Sequence, residues 1–194
     1  ENTIIENGYL VITAKEESYG GQNYTSSRLK TQGNQFFKYG RIDIRAKLPY
    51  GQGIWPALWM LGENFPSTGW PGCGEIDLME LIGGNGYNDR TIYGTVHWDE
   101  NGHAQYGNSS SLPSGKYYDE FHVFSIVWDQ SYIRWLRDDV QYHIIDITGS
   151  NLSAFHENFF FILNIAVGGN WPGSPDNSTV FPQIMAVDYI RVFQ

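Results

Sequence analysis

Cysteine is nearly absent from this sequence. Cys73 stands alone in 194 residues, so neither an intrachain disulfide nor a cysteine-built metal site can form. Its place just ahead of an acidic segment suits a small buried hydrophobe better than a reactive thiol. Positive charge is scarce too: 12 Lys and Arg against 21 Asp and Glu leave a formal charge of −9. The basic residues are dispersed, which argues against nucleic acid or any other polyanion as partner. No apolar run reaches the length of a membrane span; Phe159 to Val167 is too short and is interrupted by Asn164. No signal-peptide pattern is present, and the abrupt opening at Glu1 and Asn2 suggests a processed or trimmed chain. Helical periodicity is missing as well, with Asn151 to Glu157 the one segment that reads as a short turn. No internal repeat and no low-complexity segment stands out.

What the sequence does contain is aromatic side chains and turn residues. Aromatics make up 16% of it, with 7 Trp and 13 Tyr, and there are 22 Gly. Strand-like runs recur between clusters of Gly, Asn, Asp and Pro. They are Gly8 to Lys15, Tyr24 to Thr31, Phe36 to Leu48, Trp55 to Leu61, Glu75 to Ile82, Thr91 to Trp98, Phe121 to Trp128, Tyr132 to Leu136, Val140 to Ile145, Phe159 to Val167 and Met185 to Phe193. Many strands without helices predict an all-β sandwich or barrel. Some runs are apolar on both faces and others on one, which fits two stacked antiparallel sheets with one outer face curved into a groove. The length suits a single domain over residues 1–194. Long Gly- and Pro-rich loops at 49–53, 62–74 and 168–182 would wall the groove.

The most informative segment is Glu75-Ile76-Asp77-Leu78-Met79-Glu80. It alternates apolar and acidic residues, yet Asp and Glu are poor strand formers. Strict alternation would send Glu80 to the face opposite Glu75 and Asp77. A β-bulge at Leu78-Met79 would bring it back, lining up three carboxylates on one face. Such crowding raises proton affinities and separates them, which is what acid and nucleophile roles require. The plain alternative is a solvent-facing acidic edge. The flanking Trp, Gly and Pro favour a carbohydrate cleft.

At these residues the sequence resembles glycoside hydrolase family 16, in its laminarinase (endo-β-1,3-glucanase) type. Ordered blocks along nearly the whole chain carry the resemblance. They include Tyr24-Thr25-Ser26-Ser27-Arg28, Trp55-Pro56-Ala57-Leu58-Trp59, Gly94-Thr95-Val96-His97, Asn164-Ile165-Ala166-Val167-Gly168-Gly169-Asn170-Trp171, and Val187-Asp188-Tyr189. The resemblance implies a jelly-roll, concanavalin-like sandwich with a concave substrate cleft. It also implies retaining hydrolysis by Glu75 as nucleophile and Glu80 as general acid/base, with Asp77 between them tuning both. Arg28, Trp55, Trp59, Trp70, His97, Trp98, Asn164 and Trp171 are the expected sugar contacts, Trp70 and Trp171 foremost as stacking platforms. Trp128 and Trp135 read as structural.

Family members usually carry an N-terminal segment ahead of the one resembling Asn7-Gly8-Tyr9-Leu10; it is missing here, so one end of the cleft is expected to differ. No cofactor is expected for catalysis. A structural Ca²⁺ at Gly8 and Asp188 is a weaker expectation, since a third ligand is lacking. The expected partner is a β-glucan, with no nucleic acid and no membrane, for a secreted, extracellular monomer. Two other readings stay open: the same chemistry on mixed-linkage β-1,3-1,4-glucan or a galactan, and a non-catalytic glucan-binding module.

Overall fold

The computed structural model describes residues 1–84 and 89–194. Among them the strands are β1 Thr3–Glu6, β2 Tyr9–Tyr19, β3 Gln22–Thr25, β4 Arg28–Lys30, β5 Gly40–Lys47, β6 Ile54–Gly62 and β7 Glu75–Leu81. There follow β8 Thr91–Asp99, β9 His103–Ser111, β10 His122–Trp128, β11 Tyr132–Arg137, β12 Val140–Asp146, β13 Phe159–Val167 and β14 Gln183–Phe193. One sheet runs β1-β2-β14-β5-β10-β11-β12, with β3 paired to β2; the other runs β4-β13-β6-β7-β8-β9. The described pairings of named strands are antiparallel. The expected sandwich of two antiparallel sheets is therefore what forms. Among the described residues no helix is long and apolar enough to cross a membrane.

Period-two patterning explains the layering. In β5, Ile42, Ile44 and Ala46 are fully buried, while Arg41, Asp43, Arg45 and Lys47 keep solvent contact. Beside it, Phe124, Ile126 and Trp128 of β10 point into the same core. Each such fully buried side chain contributes roughly 1.5–3 kcal/mol. β13 is apolar on both faces because it is covered twice. Phe159, Phe161, Leu163 and Ile165 join the core between the sheets. Phe160 and Ile162 join a second cluster with Leu61 and Cys73. Cys73 is thus a buried hydrophobe, as its context suggested.

The mostly exposed edge strand β1 was not among the expected runs, and three further elements depart from the sequence reading, each for a local reason. β9 reads HAQYGNSSS and is mostly exposed, so a polar edge strand carries no hydrophobic period. Tyr24 to Thr31 breaks at Ser26 and Ser27 into β3 and β4, which belong to different sheets. The run from Phe36 becomes strand only at Gly40, and Phe37 makes an isolated bridge to Phe159. The short turn at 151–157 is found as a 3₁₀ segment, Ser150–His156. Asp138 and Asp139 both take left-handed backbone (φ 49° and 63°) between β11 and β12. That is the conformation a two-residue hairpin turn demands, and Asp tolerates it.

Candidate active site

β7 lies inside the six-stranded sheet between β6 and β8. Asp77 pairs with Thr95 and Glu80 with Tyr93, so Leu78 and Met79 stand opposite Gly94 alone. On the other side Asp77 pairs with Trp59 and Met79 with Leu58, skipping Leu78. This is the β-bulge the acidic segment called for. It sends Leu78 and Met79 both into the core and returns Glu80 to the face of Glu75 and Asp77, where all three line one hollow of about 170 Å³.

The two glutamates each have an indole donor. Trp70 Nε1–H donates to Glu75 Oε2 at 3.1 Å, and Trp55 Nε1–H donates to Glu80 Oε1 at 2.9 Å. His97 Nε2 stands 3.1 Å from Asp77 Oδ2 and 3.6 Å from Glu75 Oε1. The approach to Asp77 is an electrostatic contact without hydrogen-bond alignment, and Oδ2 is buried with no hydrogen-bond partner. Burial is the first cause that raises all three carboxyls. Glu75 is pushed from 4.5 to about 7, with Glu80 adding to the rise and His97, the Trp70 N–H and Arg28 opposing it. Glu80 is pushed from 4.5 to about 8 by burial and then by Asp77, against the Trp55 N–H and His97. Asp77 is raised well above the ordinary carboxylate range by burial and by Glu75. Burying a charge without full pairing favours its neutral form.

The cleft continues to both sides of this centre. Arg28, Trp59 and Asn164 share the smaller hollow with the carboxylates. Trp59 Nε1–H donates to Asn164 Oδ1 at 2.8 Å, and the Arg28 guanidinium lies 5.2 Å over the Trp59 ring. One face of Trp59 is thereby taken by Arg28, so its part is holding the wall as much as offering a surface. The larger side, about 900 Å³, is lined by Trp70, His97, His103, Tyr93, Asn108 and Trp171 among others. Trp70 and Trp171 are 47% and 38% exposed, unusual for indoles. Trp55 also lines this side, with Trp171 set edge-on against it at 5.7 Å.

Trp98 is a correction. It is 8% exposed and packs in the core between the sheets against Phe155. Alternation along β8 puts His97 on the cleft face and its neighbour on the other. Sequence reasoning also passed over the residues of β9. His103 Nε2 lies 2.8 Å from His97 Nδ1, and its ring lies 4.6 Å from Trp70. The pairing Asp99↔His103 makes His97 and His103 diagonal neighbours on one face of a hairpin. The Asn101-Gly102 turn dipeptide was the available signal.

The calcium expectation does not fit what surrounds Asp188. Its Oδ2 lies 2.5 Å from Arg45 Nη1, so the carboxylate is already neutralised by a guanidinium that would repel a cation. With the Gly8 carbonyl, the donor set falls far short of the six to eight oxygens calcium takes. Among the described residues the one group of ligand-type atoms close together is Glu75, Asp77 and His97, within 4.8 Å of one another. Those are two of the central carboxylates with the histidine beside them, and the family's hydrolysis needs no cofactor.

Buried carboxyls of raised proton affinity, two of them held by indole N–H groups in a sugar-sized cleft, are the equipment of a glycoside hydrolase. Residues 1–191 match the model of "Glycosyl hydrolases family 16", and the chain belongs to that family. It is 40% identical over 207 residues to a "Beta-glucanase" of Rhodothermus marinus, covering 100% of this chain and 71% of that protein. It is 40% identical over 198 residues to the "Clotting factor G alpha subunit" of Tachypleus tridentatus, covering 100% of this chain but only 28% of that one. Its fold is similar to that of the catalytic domain of an endo-1,3-beta-glucanase (laminarinase) from Thermotoga petrophila RKU-1. There the TM-score is 0.91 and the identity 46%, over 100% of this chain and 80% of the other.

Proposed function

We propose that residues 1–194 are a single catalytic domain that cleaves internal β-1,3-glucosidic bonds of laminarin-type glucans with retention. The observation that carries this reading is the bulge of β7, which puts Glu75 and Glu80 on one face with both carboxyls raised by burial. Glu75, the first carboxylate of the family's motif, attacks the anomeric carbon as carboxylate. Glu80, which keeps its proton to higher pH, gives it to the departing glycosidic oxygen. The covalent glycosyl–Glu75 intermediate is then opened by water, whose proton returns to Glu80. Burial and Glu75 both favour the protonated form of Asp77, so the centre carries less charge than three carboxylates would. The exposed faces of Trp70 and Trp171 are the stacking platforms, and Arg28 and Asn164 offer polar groups to sugar hydroxyls on the opposite side. The partner is a β-glucan, and the protein acts outside the cell as a monomer.

Action on mixed-linkage glucan or a galactan would use the same centre. A purely glucan-binding role is disfavoured because the carboxylates are all present and tuned. A reducing-sugar assay over laminarin, lichenan, agarose and κ-carrageenan separates these readings, and release from laminarin is the expected result. Glu75→Gln and Glu80→Gln should each abolish it with the fold intact. Azide should rescue Glu80→Ala on an activated substrate and give the β-glycosyl azide. An α-azide from that variant, or hydrolysis by wild type that releases the α-anomer first, would overturn the assignment.

A further inference from the structure

Trp135 sits in β11, in the sheet that holds none of the three carboxylates, and is fully buried. Its indole crosses the sandwich: Nε1–H donates to the backbone carbonyl of Asp77 at 2.8 Å. That carbonyl lies where the β7 ladder is broken, between the pairs Asp77↔Thr95 and Glu80↔Tyr93. A bulge leaves backbone groups of its strand unpaired, and a buried carbonyl left without a donor destabilises the fold. The donor has to come from outside the sheet.

The surroundings are shaped to let it through. Gly94 is the single β8 residue opposite the bulge, and a Cβ there would fall 2.5 Å from Trp135 Cδ1 and 2.8 Å from Nε1. On the other side, the pairs Trp135↔His143 and Leu136↔Gln141 make Tyr142 an extra residue of β12. A second bulge therefore sits directly behind the indole, with the His143 ring 4.7 Å from it. The Tyr142 hydroxyl reaches the same gap at Gly94. Two irregularities in facing sheets thus meet at one tryptophan.

We propose that Trp135 is a positioning residue: by holding the Asp77 carbonyl it fixes the offset that brings Glu80 onto the face of Glu75 and Asp77. It touches neither sugar nor reacting atoms. The proposal rests on the reading of those three residues as the catalytic carboxylates. The competing view is that a core indole has merely found an acceptor, as Trp128 has with the carbonyl of Phe155 at 3.0 Å, away from β7.

Trp128 is therefore the control. Trp135→Phe removes the N–H and keeps most of the bulk. β-(3-Benzothienyl)alanine at position 135 replaces the N–H by sulfur in the same shape, and it decides the question if the Phe variant does not fold. Two readouts are taken: kcat and KM on laminarin, and ¹³C NMR titration of the side-chain carboxyls of Glu75, Asp77 and Glu80. These carboxyls face His97 and Arg28 as the other charged or titratable groups. Loss of the N–H is expected to lower kcat about 10- to 100-fold, as misplacement by a fraction of an ångström does, and to leave KM within about two-fold. The triad's titrations should move with it. Trp128→Phe should lower the melting temperature and leave kcat and the titrations alone. A benzothienyl variant with wild-type kcat and wild-type titrations overturns the proposal. If the wild-type protein hydrolyses no glucan, the functional reading fails, and the titrations still decide the positioning role: moved supports it, unmoved overturns it.

Discussion

Replacing Glu80 by glutamine should stabilise the protein, and increasingly so as pH rises. Glu80 accepts the Trp55 N–H at 2.9 Å, a contact a glutamine oxygen can keep. Its carboxyl is raised from 4.5 to about 8, first by burial and then by Asp77. The native state therefore holds this proton more tightly than the unfolded chain. Stability from the group is complete below 4.5 and is lost as pH rises through 8. At about 1.36 kcal/mol per pH unit the loss is roughly 3 kcal/mol by pH 7 and about 4–5 kcal/mol by pH 9. Solvent contact in the cleft makes these upper values. A domain of this size gains about 2–4 °C per kcal/mol, so the variant should melt up to roughly 6–12 °C higher at pH 7. Calorimetry of both proteins at pH 4.5, 7 and 9 measures the effect. Glu75 titrates in both, so the difference between the curves reads Glu80 together with its repulsion of Glu75. The curves should converge at pH 4.5 and diverge above it. Parallel curves, or a variant less stable at pH 9, would refute a buried, strained Glu80.

Three further outcomes follow from the same geometry. The kcat/KM profile of the wild type should be bell-shaped, rising as Glu75 ionises near pH 7 and falling as Glu80 loses its proton near pH 8; a flat profile across pH 6–9 would contradict it. Trp70→Phe removes an N–H that lowers Glu75, so the rising limb should move to higher pH, read from the same profile. Gly62→Ala would place a Cβ 2.0 Å from the Cys73 carbonyl oxygen, and denaturant unfolding should show a loss of about 1–3 kcal/mol or more.

Much of this architecture was legible because burial imposes a period. β5 and β8 alternate cleanly, and their alternation fixes which face meets the core. The bulge was legible from a conflict: acidic residues at 75, 77 and 80 cannot share a face on a regular strand. What stayed hidden had no hydrophobic signature. β9 is a polar edge strand, so its cleft residues, His103 above all, could not be placed by pattern. Trp98 was misplaced because a tryptophan beside a cleft histidine suggests sugar, while the strand period, read strictly, sends it inward. The Asp188–Arg45 pair joins residues 143 apart in sequence, and spacing carries no trace of it. The same holds for the Trp135 contact with Asp77, which joins opposite sheets.

The acidic strand also shows how a destabilising site is kept in a stable fold. Three carboxyls crowded on the cleft face of a sheet cost free energy in proportion to their burial. The bulge that gathers them sends two consecutive residues, Leu78 and Met79, into the core at 1% and 0% exposure. A regular strand would place only one of them there. Together with Ile76 and Leu81, also fully buried, they oppose the cost of the site at the place where it arises. One inserted residue thus aligns the carboxylates on one face and adds apolar burial on the other. Deleting either Leu78 or Met79 would remove both effects together, because the register of Glu80 and the extra core side chain are the same structural event.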